Sequence, residues 1–70
     1  MDIAKNIKEN LLRERGLAGY SQRYVALKLC VTNKTISNWE CGRRLPSIIE
    51  LYQLAELYGV TIDDLLKEAE

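Results

Sequence analysis

The sequence predicts an all-α domain, a compact bundle of five short helices. Three observations carry that expectation. Apolar residues recur at spacings of three and four, the helical period, and the β-branched stretch VTNKTI lacks the alternation of a strand. Ser or Thr precedes four of the apolar stretches, where a helix N-cap belongs, and Gly follows three. The 70 residues make one domain, and a chain this short buries only about 60 per cent of the surface its unfolded form exposes, so its core must be efficient.

The first helix follows from Ile3, Ile7 and Leu11, four apart, with Ala4 and Leu12 widening the stripe; it runs to about Arg15, and Gly16 ends it. After the loop GLAGY, Ser21 caps a second helix whose inward face is Val25, Ala26 and Leu29. Thr32 caps a third, from Asn33 to about Glu40, with Ile36 and Trp39 inward and Gly42 closing it ahead of the rigid Leu45-Pro46 exit. Ser47 caps a fourth, with Ile48, Leu51, Leu54, Ala55 and Tyr58 inward and Gly59 in the left-handed closing position. Thr61 caps a fifth, with Asp63 and Asp64 in the first turn, where the dipole favours them, and Ile62, Leu65 and Leu66 inward.

The third helix is the unusual one. With only Ile36 and Trp39 inward, most of its circumference is free and carries Asn33, Lys34, Ser37 and Asn38. A helix that merely faces water gains more from Glu and Lys at i, i+4 than from Asn, Ser and Thr, which weaken helicity. Helix propensity is given up here for short hydrogen-bonding groups, the kind that read DNA base edges: Asn bonds adenine bidentately and Lys reaches guanine.

Charge follows the same division. The net charge is zero, but residues 21–46 carry +4 and residues 47–70 carry −5, leaving +1 on the first twenty. Local potential steers partners more than the total does. Cys30 and Cys41 have ten residues between them and there is no histidine, which is no zinc-ligand pattern. They read as free thiols packed as small apolar groups, with a disulfide the alternative. No apolar run approaches the roughly 20 residues of a membrane span, and no signal-peptide core is present, so a soluble, cytoplasmic protein is expected.

Several of these features coincide in a recognisable order. Ser21-Gln22 opens the second helix, Ala26 stands at the helix crossing, TNKTISNWECG (32–42) follows, and LAELYGVTIDDLL (54–66) closes the chain. Together they resemble the Cro/repressor-like (XRE-like) helix-turn-helix family over residues 3–66. The resemblance implies the lambda-repressor-like fold over the single domain 1–70, with the helix-turn-helix unit at about 21–40. It implies that Ala26 lets the second helix approach the third, plugged by Ile36 and Trp39. It places Asn33, Lys34, Ser37 and Asn38 at the bases of the major groove, and Gln22, Arg23, Thr32, Thr35, Arg43 and Arg44 at the phosphates, with Lys28 a lesser addition.

Three departures from the family pattern stand out. Cys30 occupies the turn where glycine is usual. The residues AGY (18–20) look inserted, and Tyr20 is expected to pack on Tyr24 and Leu27. The family's arginine partner for the acid at Glu40 falls on Leu12, so either Arg13 substitutes or Glu40 lacks that partner.

The function expected is a sequence-specific, double-stranded-DNA-binding transcriptional regulator, repressor-like, acting as a homodimer through the fifth helix and the loop near Gly42. The equal alternative for Ile62, Leu65 and Leu66 is that they complete the monomer core. The other functional reading is an antitoxin-like or accessory module of the same fold that binds a protein through the fourth and fifth helices. An enzyme is not expected: there is no histidine, phosphate-cradling glycine loop, metal cluster or recognisable catalytic acid pair. Nor is a cofactor or small-molecule ligand expected.

Overall fold

The five helices begin alike. In this computed structural model, which describes residues 2–69, the side chains of Asp2, Ser21, Thr32, Ser47 and Thr61 each accept a hydrogen bond from the backbone N–H three residues on. Each such bond satisfies a donor that the first helical turn leaves unpaired. Ser47 and Thr61 form full capping boxes, with Glu50 and Asp64 returning a bond to the cap. The helices so started are α1 (Ile3–Ala18), α2 (Gln22–Leu29), α3 (Asn33–Cys41), α4 (Ile48–Tyr58) and α5 (Ile62–Leu66).

The first helix does not end at Gly16. It continues to Ala18, and Gly19 takes the left-handed closing position at φ 74°, with its N–H and that of Tyr20 returning to the carbonyls of Gly16 and Arg15. A glycine inside a helix costs about 1 kcal/mol relative to alanine, which weakens a helix without stopping it. The apparent insertion AGY is therefore the last turn of α1 and its cap. One consequence reaches the functional surface: Arg15 stays helical, on the same stripe as Ile7 and Leu11.

Eleven apolar residues form the core: Ile7, Leu11, Val25, Ala26, Leu29, Ile36, Trp39, Leu51, Leu54, Ala55 and Leu65. All five helices contribute, and Ala26 on α2 is buried among them. Ile48, expected inside, is 66 % exposed; it sits in the first turn of α4 beyond the packed stripe, and Pro46 is buried instead. Ile3, Ala4 and Leu12, expected on the inner face of α1, are exposed as well, because the buried stripe turns through Asn6, Ile7, Asn10 and Leu11.

Those two buried asparagines explain how α5 is held. Asn6 Nδ2 donates to the Leu66 carbonyl at 3.0 Å, and Asn10 Nδ2 donates to the carbonyls of Leu65 (3.0 Å) and Lys67 (2.8 Å). A five-residue helix with no left-handed closing residue leaves its last carbonyls free, and α1 supplies the donors. Leu65 is fully buried, and Ile62 and Leu66 pack against the core, so the apolar face of α5 completes the monomer. Tyr20 stacks on Tyr58 (6.3 Å between centroids) and packs tilted against Tyr24 (4.6 Å); Leu27, 69 % exposed, is not part of that group.

Candidate nucleic-acid interface

The sharp turn between α2 and α3 is made by Cys30, the single non-glycine residue with positive φ (58°) among those described. Its N–H returns to the Leu27 carbonyl and that of Val31 to the Ala26 carbonyl, closing α2 as a glycine would. The cost of an L-residue in this conformation is about 1–2 kcal/mol. The turn delivers Thr32 as the cap of α3 and projects the outer face of α3 away from the core.

On that face Asn33 and Lys34 are exposed, while Ser37 and Asn38 are half-buried. Arg43 and Arg44 follow, exposed, after Gly42 closes α3 at φ 79°. Their two N–H groups bond the Asn38 carbonyl at 2.9 and 3.3 Å, which anchors the loop to the helix. Arg23 is exposed near the start of α2. The Thr32 and Thr35 hydroxyls lie 2.9 Å apart, and Thr32 Oγ1 also accepts the Thr35 N–H, so both are partly engaged in the cap. Lys28 turns toward the Tyr24 ring, its ammonium 5.5 Å from the centroid.

Gln22 is more tightly held than the sequence suggested. Its Nε2 donates to Glu40 Oε1 at 3.0 Å, and its Oε1 accepts from Asn33 Nδ2 at 3.4 Å. Glu40 has its partner, and it is neither absent nor Arg13. Arg15 grips the carboxylate with Nε at 2.7 Å and Nη2 at 3.0 Å, while Nη1 bonds the Tyr20 carbonyl. The helical stripe Ile7–Leu11–Arg15 aims Arg15 across the core, whereas Arg13 pairs with its neighbour Glu14. The bond to Glu40 raises the Arg15 guanidinium's pKa further above its already high value. Tyr58, beside this pair, has its phenol pushed well above the ordinary range by burial and by the Glu40 charge.

The electrostatic result is one-sided. Glu40 is the single acid in residues 21–46, and it is buried and paired; Arg23, Lys28, Lys34, Arg43 and Arg44 are all exposed. Segment 21–46 therefore shows solvent five cations and no carboxylate. The two cysteines are free but exposed, not packed inside: Cys30 sits in the turn, and Cys41 points outward with Sγ 4.0 Å from Ser37 Oγ. Among the described residues no group of three or more His, Cys, Asp or Glu could hold a metal ion, and no helix is long and apolar enough to cross a membrane.

A family model described as helix-turn-helix matches residues 11–65, taking in this surface and its supports. The chain belongs to the helix-turn-helix family, in its Cro/repressor-like branch. Members of this family are non-enzymatic. This helix-turn-helix chain is similar to the HTH-type transcriptional regulator ImmR of Bacillus subtilis (strain 168), 39% identical over 70 residues, which covers 100% of this chain and 52% of ImmR. It is also similar to the uncharacterized HTH-type transcriptional regulator y4dJ of Sinorhizobium fredii (strain NBRC 101917 / NGR234), 36% identical over 61 residues, 87% of this chain and 79% of y4dJ. A third relative is the HTH-type transcriptional activator BcrR of Enterococcus faecalis, 34% identical over 62 residues, 89% of this chain and 30% of BcrR. The chain thus spans about half the length of ImmR and less than a third of BcrR. No solved structure matches it.

Proposed function

We propose that this chain is a sequence-specific DNA-binding domain of a transcriptional regulator, with α3 in the major groove. The observation that carries the reading is the pairing of chemistry on one surface. A face of short amides and a hydroxyl lies between exposed cations, and the one nearby acid is withdrawn into the core. Asn33, Lys34, Ser37 and Asn38 would meet base edges. Gln22, Arg23, Arg43 and Arg44 would meet phosphates, and Thr32 and Thr35 would do so at the start of α3. The names of ImmR and BcrR, a regulator and an activator, support regulation and leave its sign open. In this reading the chain would act in the cytoplasm and would need no small-molecule ligand.

The domain would act as a homodimer on inverted half-sites about 34 Å, or roughly 10 base pairs, apart. The apolar face of α5 is used within the monomer, so the candidate contact moves to the α3–α4 loop and the first turns of α4. There Leu45, Ile48, Ile49 and Tyr52 are all exposed. The same exposure is the observation that favours the second reading, in which this face binds another protein.

Selection from a randomised duplex library at about 0.1 M salt separates the two. Enriched inverted half-sites one helical turn apart are the expected result. Absence of enrichment, with binding that fades uniformly as salt rises, would overturn the sequence-specific reading and leave a non-specific DNA binder or a module that awaits a protein partner. Asn33→Ala and Asn38→Ala are each expected to relax one position of the selected site, at about 1–3 kcal/mol.

A further inference from the structure

Hydrogen-bond polarity runs outward from the core to the tip of α3. It begins at Glu40, whose side chain is 4% exposed and whose carboxylate is held by Arg15 on two nitrogens. An ionised carboxylate only accepts, so Gln22 must present its NH2 group to Glu40 Oε1. That choice turns Gln22 Oε1 toward Asn33, which must in turn present its own NH2 group, at 3.4 Å. What remains free on Asn33 is Oδ1 as an acceptor and one N–H as a donor. Those two groups are the pair that the major-groove edge of adenine requires. Without the carboxylate, either amide could rotate by half a turn at little cost, because an amide's two ends have nearly the same shape and opposite polarity.

We infer that Glu40, acting through Gln22, is a positioning residue for recognition: it fixes which end of the Asn33 amide faces which atom of the base. The inference rests on the proposed reading that Asn33 meets a base. It assigns a role to an ion pair whose carboxylate is buried, an arrangement that well-packed apolar residues often replace with little loss or even a gain of stability.

The test removes the pair without stranding a charge, using the double variant Arg15→Met, Glu40→Met. Two readouts are taken. The first is affinity for the selected site and for the three alternatives at the position that Asn33→Ala relaxes. Discrimination there is expected to fall by about fivefold or more, the low end of one bidentate contact's contribution, while discrimination at the Asn38 position is unchanged. The second needs no DNA: the side-chain NH2 resonances of Gln22 and Asn33 are expected to move together, with that of Asn38 unmoved. A folded variant with unchanged discrimination at the Asn33 position, or with the Asn33 resonances unmoved, overturns the inference. If Asn33→Ala weakens every sequence alike, base reading by Asn33 fails, and the resonances alone still decide whether Glu40 orients the amide. Should the double variant not fold, Gln22→Leu, which leaves the ion pair intact, carries the same two readouts on Asn33.

Discussion

At the scale of single residues, two left-handed positions make opposite predictions. Cys30 adopts φ 58° with its side chain exposed, so replacing it by glycine removes strain and loses no packing. Relief of about 1–2 kcal/mol is offset by the roughly 0.5–1 kcal/mol of extra freedom that glycine brings to the unfolded chain. Cys30→Gly is therefore expected to stabilise by up to about 1 kcal/mol, which in a domain this small raises Tm by about 4–8 °C; a lower Tm in thermal denaturation would contradict it. Gly42 adopts φ 79°, and a Cβ there would stand 3.0 Å from Lys8 Cδ. Gly42→Ala adds strain and a close contact together, so a loss of about 1–2 kcal/mol is expected in the same measurement. The turn was legible as a departure from the family pattern at residue 30. Arg15 was not, because the family's arginine was placed on residue 12 by its spacing to Glu40, whereas the residue that reaches Glu40 lies three further along α1.

Helices were legible where a cap and an apolar stripe agreed. Ser21, Thr32, Ser47 and Thr61 each start a helix as expected, and the inner faces of α2 and α3 match the apolar spacing. The miss in α1 has a physical origin: apolar periodicity cannot see a buried asparagine. Asn10 is fully buried, and its Nδ2 closes two carbonyls at the end of α5, while its Oδ1 finds no protein partner. Asn10→Leu keeps the volume and strands those carbonyls, so a loss of about 1–3 kcal/mol is expected. Faster amide exchange in α5 than in α3 would accompany it. Asn10→Asp is expected to be worse at neutral pH, because a carboxylate only accepts and would face two acceptors. Burial there raises the pKa of the introduced carboxyl above its unfolded value of about 3.9. Its destabilisation is thus present above the folded-state pKa and fades as the pH falls through it. Urea denaturation at pH 7 and near pH 4 checks the sign; a penalty that grows on acidification would refute the account.

Across the whole molecule, a zero net charge conceals a basic α2–α3 segment and an acidic α4–α5 half, which the segment charges already displayed. If Arg43 and Arg44 meet phosphates, Arg43→Ala or Arg44→Ala should weaken all duplexes alike and reduce the slope of log K against log salt by about 0.9 each. The proposed dimer surface could not be read from the sequence, since Ile48 and Leu65 occupy equally good apolar positions and packing alone decides which one is buried. Leu45, Ile48, Ile49 and Tyr52 follow Arg43 and Arg44 directly along the chain, so a two-fold contact through them would hold the two loops proposed to meet phosphates at a fixed separation. Ile49, 69 % exposed, can be changed without touching the core. Ile49→Lys is expected to leave the fold and the affinity for an isolated half-site intact, while cooperative binding to the inverted pair disappears. Titration of one- and two-half-site duplexes gives both numbers from the same protein. Retained cooperativity in the lysine variant would move the dimer contact elsewhere, whereas loss of half-site affinity as well would place Ile49 in the DNA surface itself.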